Sequence, residues 1–242
     1  MKKTNLILVI VFCGLFCCIP DSKAELVTIG ITAEVTNVAD PLAPLGFLEG
    51  INVGDTIKGT YTYDTLTPDK YPQWPDIGVY IHRSPPCGIS LEIGGFIFKT
   101  DPEDVYFPVT IMNGDIVEMH DAYKIVSGHN LPLHNGVWGM RINLELYDST
   151  FSALSSDALP TTAPVLDDWE TCENDIYIYG NYPGYNPREY NWGFKAHLTS
   201  AFLIPEPTTL FFFGFGFFFL RKRCDERWKI DDGRIKSVKL KR

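Results

Sequence analysis

Apolar and polar residues alternate along several short stretches of this 242-residue chain, and this alternation restricts the fold more than any other feature. Between Leu26 and Val38, every second residue from Val27 to Val35 is apolar, which is the period of a half-buried β-strand. Thr56–Asp64 repeats the pattern with Thr and Tyr, both frequent in strands. No window has sustained helical periodicity. The sequence therefore predicts an all-β fold.

Turn signals between these stretches predict how the strands are connected. Gly94-Gly95 separates two apolar stretches and predicts a β-hairpin, because glycine tolerates the positive φ angles of a two-residue turn. Asn113-Gly114 predicts a second hairpin by the same logic. Further strands are predicted at Tyr123–Val126, Trp138–Tyr147, Asp175–Tyr179 and Tyr190–Leu203. Such a series of short strands favours an antiparallel two-sheet sandwich, jelly-roll-like, over residues 25–203.

The N-terminus has the three parts of a secretory signal peptide. Lys2 and Lys3 precede an apolar run of 14 residues, Leu6–Ile19, and Ser22-Lys23-Ala24 supplies the small residues of a cleavage site. A run of this length is shorter than the ~20 residues that span a bilayer. Residues 1–24 are therefore predicted to be a signal peptide that directs export across the inner membrane.

The C-terminal region combines a proline motif, a hydrophobic segment and a basic cluster. Pro205-Glu206-Pro207 is followed by an apolar stretch to Leu220 that consists mostly of phenylalanine, and then by Arg221-Lys222-Arg223. A hydrophobic segment that ends in cationic residues is typical of a stop-transfer helix with its basic end in the cytoplasm. Residues 204–223 are thus predicted to hold the chain transiently in the membrane, with 224–242 as a basic tail.

This order of parts resembles the PEP-CTERM sorting signal of exported bacterial proteins. The resemblance implies that an exosortase, a membrane protease, recognises Pro205, Glu206 and Pro207, and that Arg221, Lys222 and Arg223 act as a retention signal. It also implies cleavage near the proline motif and delivery to the cell surface or the extracellular space, often alongside exopolysaccharide. The central domain is similar to the sandwich ectodomains that accompany such tails, a similarity that implies no known activity.

Two cysteines, Cys87 and Cys172, lie in the predicted exported domain. An even number of cysteines in an oxidising compartment favours a disulfide bond between them. The alternative is a pair of separate buried thiols.

The charge distribution excludes one class of partner and suggests one cation. Residues 25–207 contain 8 Lys and Arg against 25 Asp and Glu, a net charge of −17, which argues against nucleic-acid binding. Clustered carboxylates are the ligands that Ca²⁺ prefers. The candidate calcium ligands are Asp101, Glu103, Asp104, Asp167 and Asp168. Solvated acidic loops are the alternative interpretation, and no other cofactor is predicted.

A stretch rich in Tyr, Pro, Gly and Asn near the end of the domain suggests saccharide binding, because flat aromatic faces beside amides suit stacking on sugars. Its candidate residues are Tyr182, Tyr185, Tyr190 and Trp192, to which Tyr71, Trp74 and Trp138 could add. The alternative is that these rings plug an end of the sandwich.

The sequence as a whole predicts an exported, non-catalytic protein with a structural or adhesive role at the cell surface or in the extracellular matrix. No Gly-x-Ser-x-Gly motif of a hydrolase is present, and no enzymatic activity is expected. A carbohydrate-binding or calcium-dependent recognition module is the first alternative, and a secreted hydrolase is the second.

Overall fold

Ten β-strands carry the fold in a computed structural model that describes residues 26–39, 49–115, 120–133, 137–170, 174–182 and 191–205. The strands are β1 (Leu26–Ala39), β2 (Thr56–Asp64), β3 (Ile77–His82), β4 (Gly88–Ile93), β5 (Phe96–Lys99), β6 (Phe107–Asp115), β7 (His120–Ser127), β8 (Trp138–Asp148), β9 (Asp175–Asn181) and β10 (Trp192–Leu203). The described residues contain no α-helix, and their one helical element is a 3₁₀ turn at Leu166–Asp168.

All ten strands belong to one antiparallel sheet. Their order across the sheet is β3-β6-β7-β8-β9-β10-β1-β2-β4-β5. The prediction of an all-β antiparallel fold is confirmed, but the strands form one continuous sheet rather than two separate ones. The first and last strands connect the two parts of this sheet. β10 pairs with β1 over ten residue pairs, from Ile29 with Leu203 to Ala39 with Gly193.

The sheet curls so that its inward side chains pack against each other. Tyr61 of β2 lies 6.4 Å from Tyr123 of β7 between ring centroids, and Phe98 of β5 lies 5.5 Å from Phe194 of β10. Strands far apart in the sheet order therefore meet across the core. Each strand contributes alternate residues to this core, as the period of a half-buried strand requires.

Several sequence predictions are confirmed by the strands. The predicted strand over Thr56–Asp64 has the same bounds in the structure, and β1 exceeds the predicted stretch by one residue at its C-terminal end. Gly94 and Gly95 form the turn between β4 and β5 with φ angles of 56° and 82°. These left-handed angles are the reason that the turn requires glycine.

The predicted turn at Asn113-Gly114 is wrong. Strand β6 continues to Asp115, and the pairing of β6 with β7 shifts register between Met112 and Asp115. The buried carboxylate of Asp121 accepts a hydrogen bond of 2.7 Å from the N–H of Gly114, which holds this irregularity inside the strand. β6 and β7 are paired, but the connection between them, 116–119, lies outside the described residues.

Strand β3 was not predicted from the sequence. Its outward residues Ile77, Val79 and Ile81 are apolar, as is the inward Tyr80, so the period-two signal is weak. Its free edge is partly paired, because the N–H of Lys70 donates to the carbonyl of Val79.

A second buried aspartate, Asp148, organises the loop after β8. Its carboxylate accepts hydrogen bonds from the N–H groups of Thr150, Ser152 and Ala153 and from the hydroxyl of Thr150. Burial by itself would raise the pKa of this carboxyl, but the hydrogen bonds outweigh burial and hold the pKa well below its usual range.

The chain divides after Leu203 into two units, of which the second contributes only Ile204 and Pro205 to the described residues. The predicted signal peptide, hydrophobic segment and basic tail lie outside them. Within the described ranges, no helix has the length and apolar character needed to cross a membrane.

Candidate functional site

The outward face of the sheet at β9 and β10 carries a pair of aromatic rings. In β9, Ile176 and Ile178 point into the core, so the alternation directs Tyr177 and Tyr179 outward, where both are half-buried. The two tyrosine rings stack with their centroids 6.2 Å apart and an interplanar angle of 18°. Two neighbouring outward positions of one strand thus carry a pair of nearly parallel aromatic rings.

Gly193 of β10 leaves space for the ring of Tyr179. The two residues are paired across the β9–β10 ladder. A Cβ atom on Gly193 would lie 3.3 Å from Cδ1 of Tyr179 and 2.9 Å from the carbonyl oxygen of Ile178. The absence of a side chain therefore leaves room for the ring beside the neighbouring strand.

A buried carboxylate fixes the other end of the aromatic pair. Asp175, whose side chain is 4% exposed, lies 2.6 Å from Nζ of Lys195 and accepts a hydrogen bond of 3.2 Å from the hydroxyl of Tyr177. The Lys195 ammonium also lies 5.3 Å from the centroid of the Tyr177 ring. The hydrogen bond to Asp175 raises the pKa of Lys195, and burial together with the Asp175 charge raises the pKa of Tyr177. Tyr177 and Lys195 thus stay protonated at neutral pH.

A bulge in β1 completes the site. Val35 pairs with Ala196 and Asn37 with Lys195, so Thr36 is an extra residue in β1. The bulge sets Asn37 opposite Lys195, at the boundary of a groove of about 520 Å³. The groove is lined by Asn37, Ala39, Tyr177, Tyr179, Asn191, Trp192, Gly193, Phe194 and Lys195.

The groove offers stacking surfaces and a few hydrogen-bonding groups. Its volume lies within the range of about 300–1,000 Å³ that is common for ligand sites. Asn37 and Asn191 supply amide groups that both donate and accept, and Lys195 supplies an ammonium whose charge is balanced by Asp175. This combination suits a ligand with flat apolar faces and hydroxyl groups around its edge.

Two of the four predicted saccharide-binding residues are buried. Tyr182 is 2% exposed and Trp192 is 3% exposed, so neither presents a ring face to solvent. Trp192 starts β10 and points inward, where its ring lies 6.1 Å from that of Phe98. Trp192 is also among the residues that line the groove. For these two residues the alternative, that the rings plug an end of the fold, describes the structure better.

The other two, Tyr185 and Tyr190, lie outside the described residues. The tyrosines that do form an outward pair, Tyr177 and Tyr179, were not singled out from the sequence. The signal was present in the alternation of Ile and Tyr in the predicted strand Asp175–Tyr179, because the more apolar isoleucines would take the inward positions.

The candidate calcium ligands are not brought together in the described part of the chain. Asp104 instead pairs with Nδ1 of His129 at 2.9 Å, and Asp101 accepts a hydrogen bond from the N–H of Glu103. Asp167 and Asp168 are exposed in the 3₁₀ turn. Among the described residues, no group of three His, Cys, Asp or Glu side chains has the arrangement of a metal site.

The remaining predicted residues lie largely outside the described ranges. Cys87 is buried, whereas Cys172 is outside, and the disulfide bond stays a prediction. Of the sorting motif only Pro205 is described, and it is exposed. Glu206, Pro207 and the basic cluster at 221–223 are outside, and their role in sorting also stays a prediction.

Comparison of the chain with protein-family models, with curated proteins and with solved structures finds no match.

Proposed function

We propose that this domain is a non-catalytic, adhesive protein of the bacterial cell surface that binds a neutral polysaccharide in the groove between β9, β10 and β1. The observation that carries the proposal is the outward stack of Tyr177 and Tyr179 beside Asn37, Asn191 and Lys195. Sugar rings have apolar C–H faces and hydroxyl edges, and the groove is lined by aromatic rings and by amides that can contact these two kinds of surface.

Electrostatics favour a neutral ligand over an anionic one. Lys195 is the only cation among the described lining residues, and its ammonium is already paired with Asp175 at 2.6 Å. Residues 25–207 carry 25 acidic side chains against 8 basic ones, which would repel an anionic polymer. A neutral polysaccharide avoids this cost.

Binding of the full chain, purified in detergent, to soluble neutral polysaccharides tests the proposal. A β-glucan and a mannan are the neutral probes, alginate is the anionic one, and affinity electrophoresis is the measurement. We expect binding to at least one neutral polymer, in EDTA as well as in calcium, and no binding to alginate. Replacing Tyr179 by Ala removes one stacking face and should weaken binding by about tenfold.

Tyr147 provides a control, because its hydroxyl and ring contact the same two kinds of group as those of Tyr177, a carboxylate and a lysine, but it does not line the groove. Its hydroxyl donates to Glu145 at 2.9 Å, and Nζ of Lys124 lies 5.0 Å from its ring centroid. Tyr147→Ala should leave affinity unchanged, and Tyr179→Phe should keep most of it. Equal losses in Tyr147→Ala and Tyr179→Ala would contradict the proposal, as would binding to alginate alone.

The same proposal includes export and sorting of the chain, which we assign to its two termini. A signal peptide at 1–24 exports the chain, and the PEP-CTERM-like segment at 204–223 holds it in the membrane until an exosortase-like protease cuts near Pro205. The sequence order of these parts supports this assignment. Mass spectrometry of the protein from its native envelope should find an N-terminus at Glu25 and a C-terminus near Pro205. An intact chain through Arg242 would contradict processing.

A further inference from the structure

A second aromatic pair lies on the surface outside the groove, in the loop between β2 and β3. The rings of Tyr71 and Trp74 stack with centroids 4.7 Å apart and an interplanar angle of 27°. Nζ of Lys70 lies 4.9 Å from the centroid of the Tyr71 ring. Trp74 is 48% exposed. Because one face of the indole lies against Tyr71, its other face is presented to solvent.

The loop that carries this pair is held in one conformation. Oδ1 of Asp69 accepts hydrogen bonds from the N–H groups of Tyr71 and Val79, at 3.0 and 2.8 Å. The N–H of Trp74 donates to the carbonyl of Tyr71 at 2.9 Å. Pro72 and Pro75 flank the tryptophan segment and restrict its backbone further. A ligand that stacks on Trp74 therefore pays little to order its site.

This exposure contrasts with that of the other tryptophans whose side chains are described. Trp169 and Trp192 are 6% and 3% exposed, and both belong to the core. An indole left 48% exposed on a fixed loop forgoes about half of the stabilisation that full burial would contribute. Its flat apolar face is of the same kind as the tyrosine faces in the groove, and the net negative charge of residues 25–207 again disfavours an anionic polymer.

The pair is separate from the groove. No residue of the loop lines the groove, and three strands, β6, β7 and β8, lie between β3 and β9 in the sheet order. Four steps of about 4.8 Å place β3 about 20 Å from β9, measured along the sheet. The aromatic pair and the groove therefore have no residue in common.

We propose that Tyr71 and Trp74 form a second saccharide-binding site, at which a sugar ring of a neutral polysaccharide stacks on the open face of Trp74. One domain then binds two polysaccharide segments and can link two chains of the polymer. The site itself stands on the loop alone, whereas the linking of chains rests also on the proposed function of the groove.

Binding stoichiometry of the full chain tests this proposal. Isothermal titration with cellohexaose, laminarihexaose and mannohexaose should find two oligosaccharides bound per protein for at least one of the three. Trp74→Ala should reduce the number to one, Tyr179→Ala should weaken one of the two sites by about tenfold, and the double variant should keep only that weakened site. Trp74→Phe, which keeps a stacking face, should retain two. Light scattering of a solution of the matching polysaccharide should rise with the wild type and not with Trp74→Ala.

Phe202→Ala is the matched control, because Phe202 is 53% exposed and lies on the end of β10, over Gly30. It should leave the stoichiometry at two. If Tyr179→Ala changes nothing while Trp74→Ala abolishes binding, the groove proposal fails and the Trp74 site stands. An unchanged stoichiometry in Trp74→Ala, an equal loss in Phe202→Ala, or no binding dependent on Trp74 for any of the three probes overturns the inference.

Discussion

Two tyrosine pairs in this domain have almost the same ring geometry and opposite surroundings. Tyr61 and Tyr63 of β2 stack at 6.1 Å with an interplanar angle of 19°, and Tyr177 and Tyr179 of β9 stack at 6.2 Å with an angle of 18°. The β2 pair faces the core, where both rings are fully buried, whereas the β9 pair faces outward. The spacing of two residues along a strand produces the same stack on either face.

The neighbouring residues decide which face each pair takes. In β2 the tyrosines alternate with Thr60 and Thr62, so tyrosine is the more apolar partner and turns inward. In β9 they alternate with isoleucines, so tyrosine is the more polar partner and turns outward. The role of a tyrosine in a strand thus depends on its partner residues as much as on its own chemistry.

The two pairs also differ in how their hydroxyl groups are satisfied. In the core, the hydroxyl of Tyr123 donates to that of Tyr61, and the hydroxyl of Tyr63 donates to the carbonyl of Pro160 at 2.9 Å. Burial raises the pKa of Tyr63 to about 12 and that of Tyr61 still further, so these hydroxyls stay neutral. On the surface, Tyr177 donates to a carboxylate that also holds Lys195.

Truncation of one ring from each pair gives the largest expected difference between them. Tyr63→Ala removes a fully buried ring and leaves a cavity, and should lower the free energy of unfolding by about 3–5 kcal/mol. Tyr179→Ala, the matched surface change, should cost about 1 kcal/mol or less. Urea unfolding followed by tryptophan fluorescence measures both. Losses of equal size would show that the two faces do not differ in the way that the structure indicates.

The sequence predicted the strands well where two residue classes alternate clearly. Thr56–Asp64 and the Gly94-Gly95 hairpin are examples, because their patterns depend only on neighbouring residues. It failed at Gly114, where the buried carboxylate of Asp121 binds the backbone from the next strand. That contact is tertiary and has no local signal. β3 was missed for a different reason, since both of its faces carry apolar residues.

The sequence predicted the kinds of side chain in the candidate site but not the particular residues. Aromatic side chains beside amides suggested saccharide binding, but the sequence pointed to Tyr182 and Trp192, which are buried. Both lie at strand ends whose inward or outward direction depends on the register. The bulge at Thr36, which sets Asn37 opposite Lys195, is equally invisible in the sequence, because it exists only in the pairing of β1 with β10.

A histidine at the edge of the buried tyrosine pair should make the core, and not the outward face, sensitive to pH. His82 is 3% exposed and stacks on Tyr63 on one side and on Phe107 on the other. Its Nδ1 lies 2.9 Å from the hydroxyl of Thr67, and its Nε2 has no hydrogen-bond partner among the described residues. Burial lowers the pKa of His82 to about 4, against an opposing contribution from Asp64.

The sign of the effect follows from the order of the two pKa values. The unfolded chain takes up this proton near pH 6.5, and the folded protein only near pH 4, so the unfolded state binds more protons between these values. The free energy of unfolding should therefore be highest above pH 6.5 and fall by roughly 3 kcal/mol as the pH drops to 4. The hydrogen-bonded Asp148 contributes mainly below about pH 4, because its carboxyl takes up a proton near pH 3.8 in the unfolded chain and only at lower pH in the folded protein.

Urea midpoints measured from pH 7.5 to 4 test this expectation with two variants. His82→Phe keeps a ring between Tyr63 and Phe107 and removes the titrating group, so its midpoint should lose most of the dependence on pH. His197→Gln is the control, because His197 lies on the outward face of β10 and its replacement changes no group in the core. If the dependence of the urea midpoint on pH persists in His82→Phe and disappears in His197→Gln, the responsible group lies on the outward face. This result would contradict the expectation that the core is the pH-sensitive part of the domain.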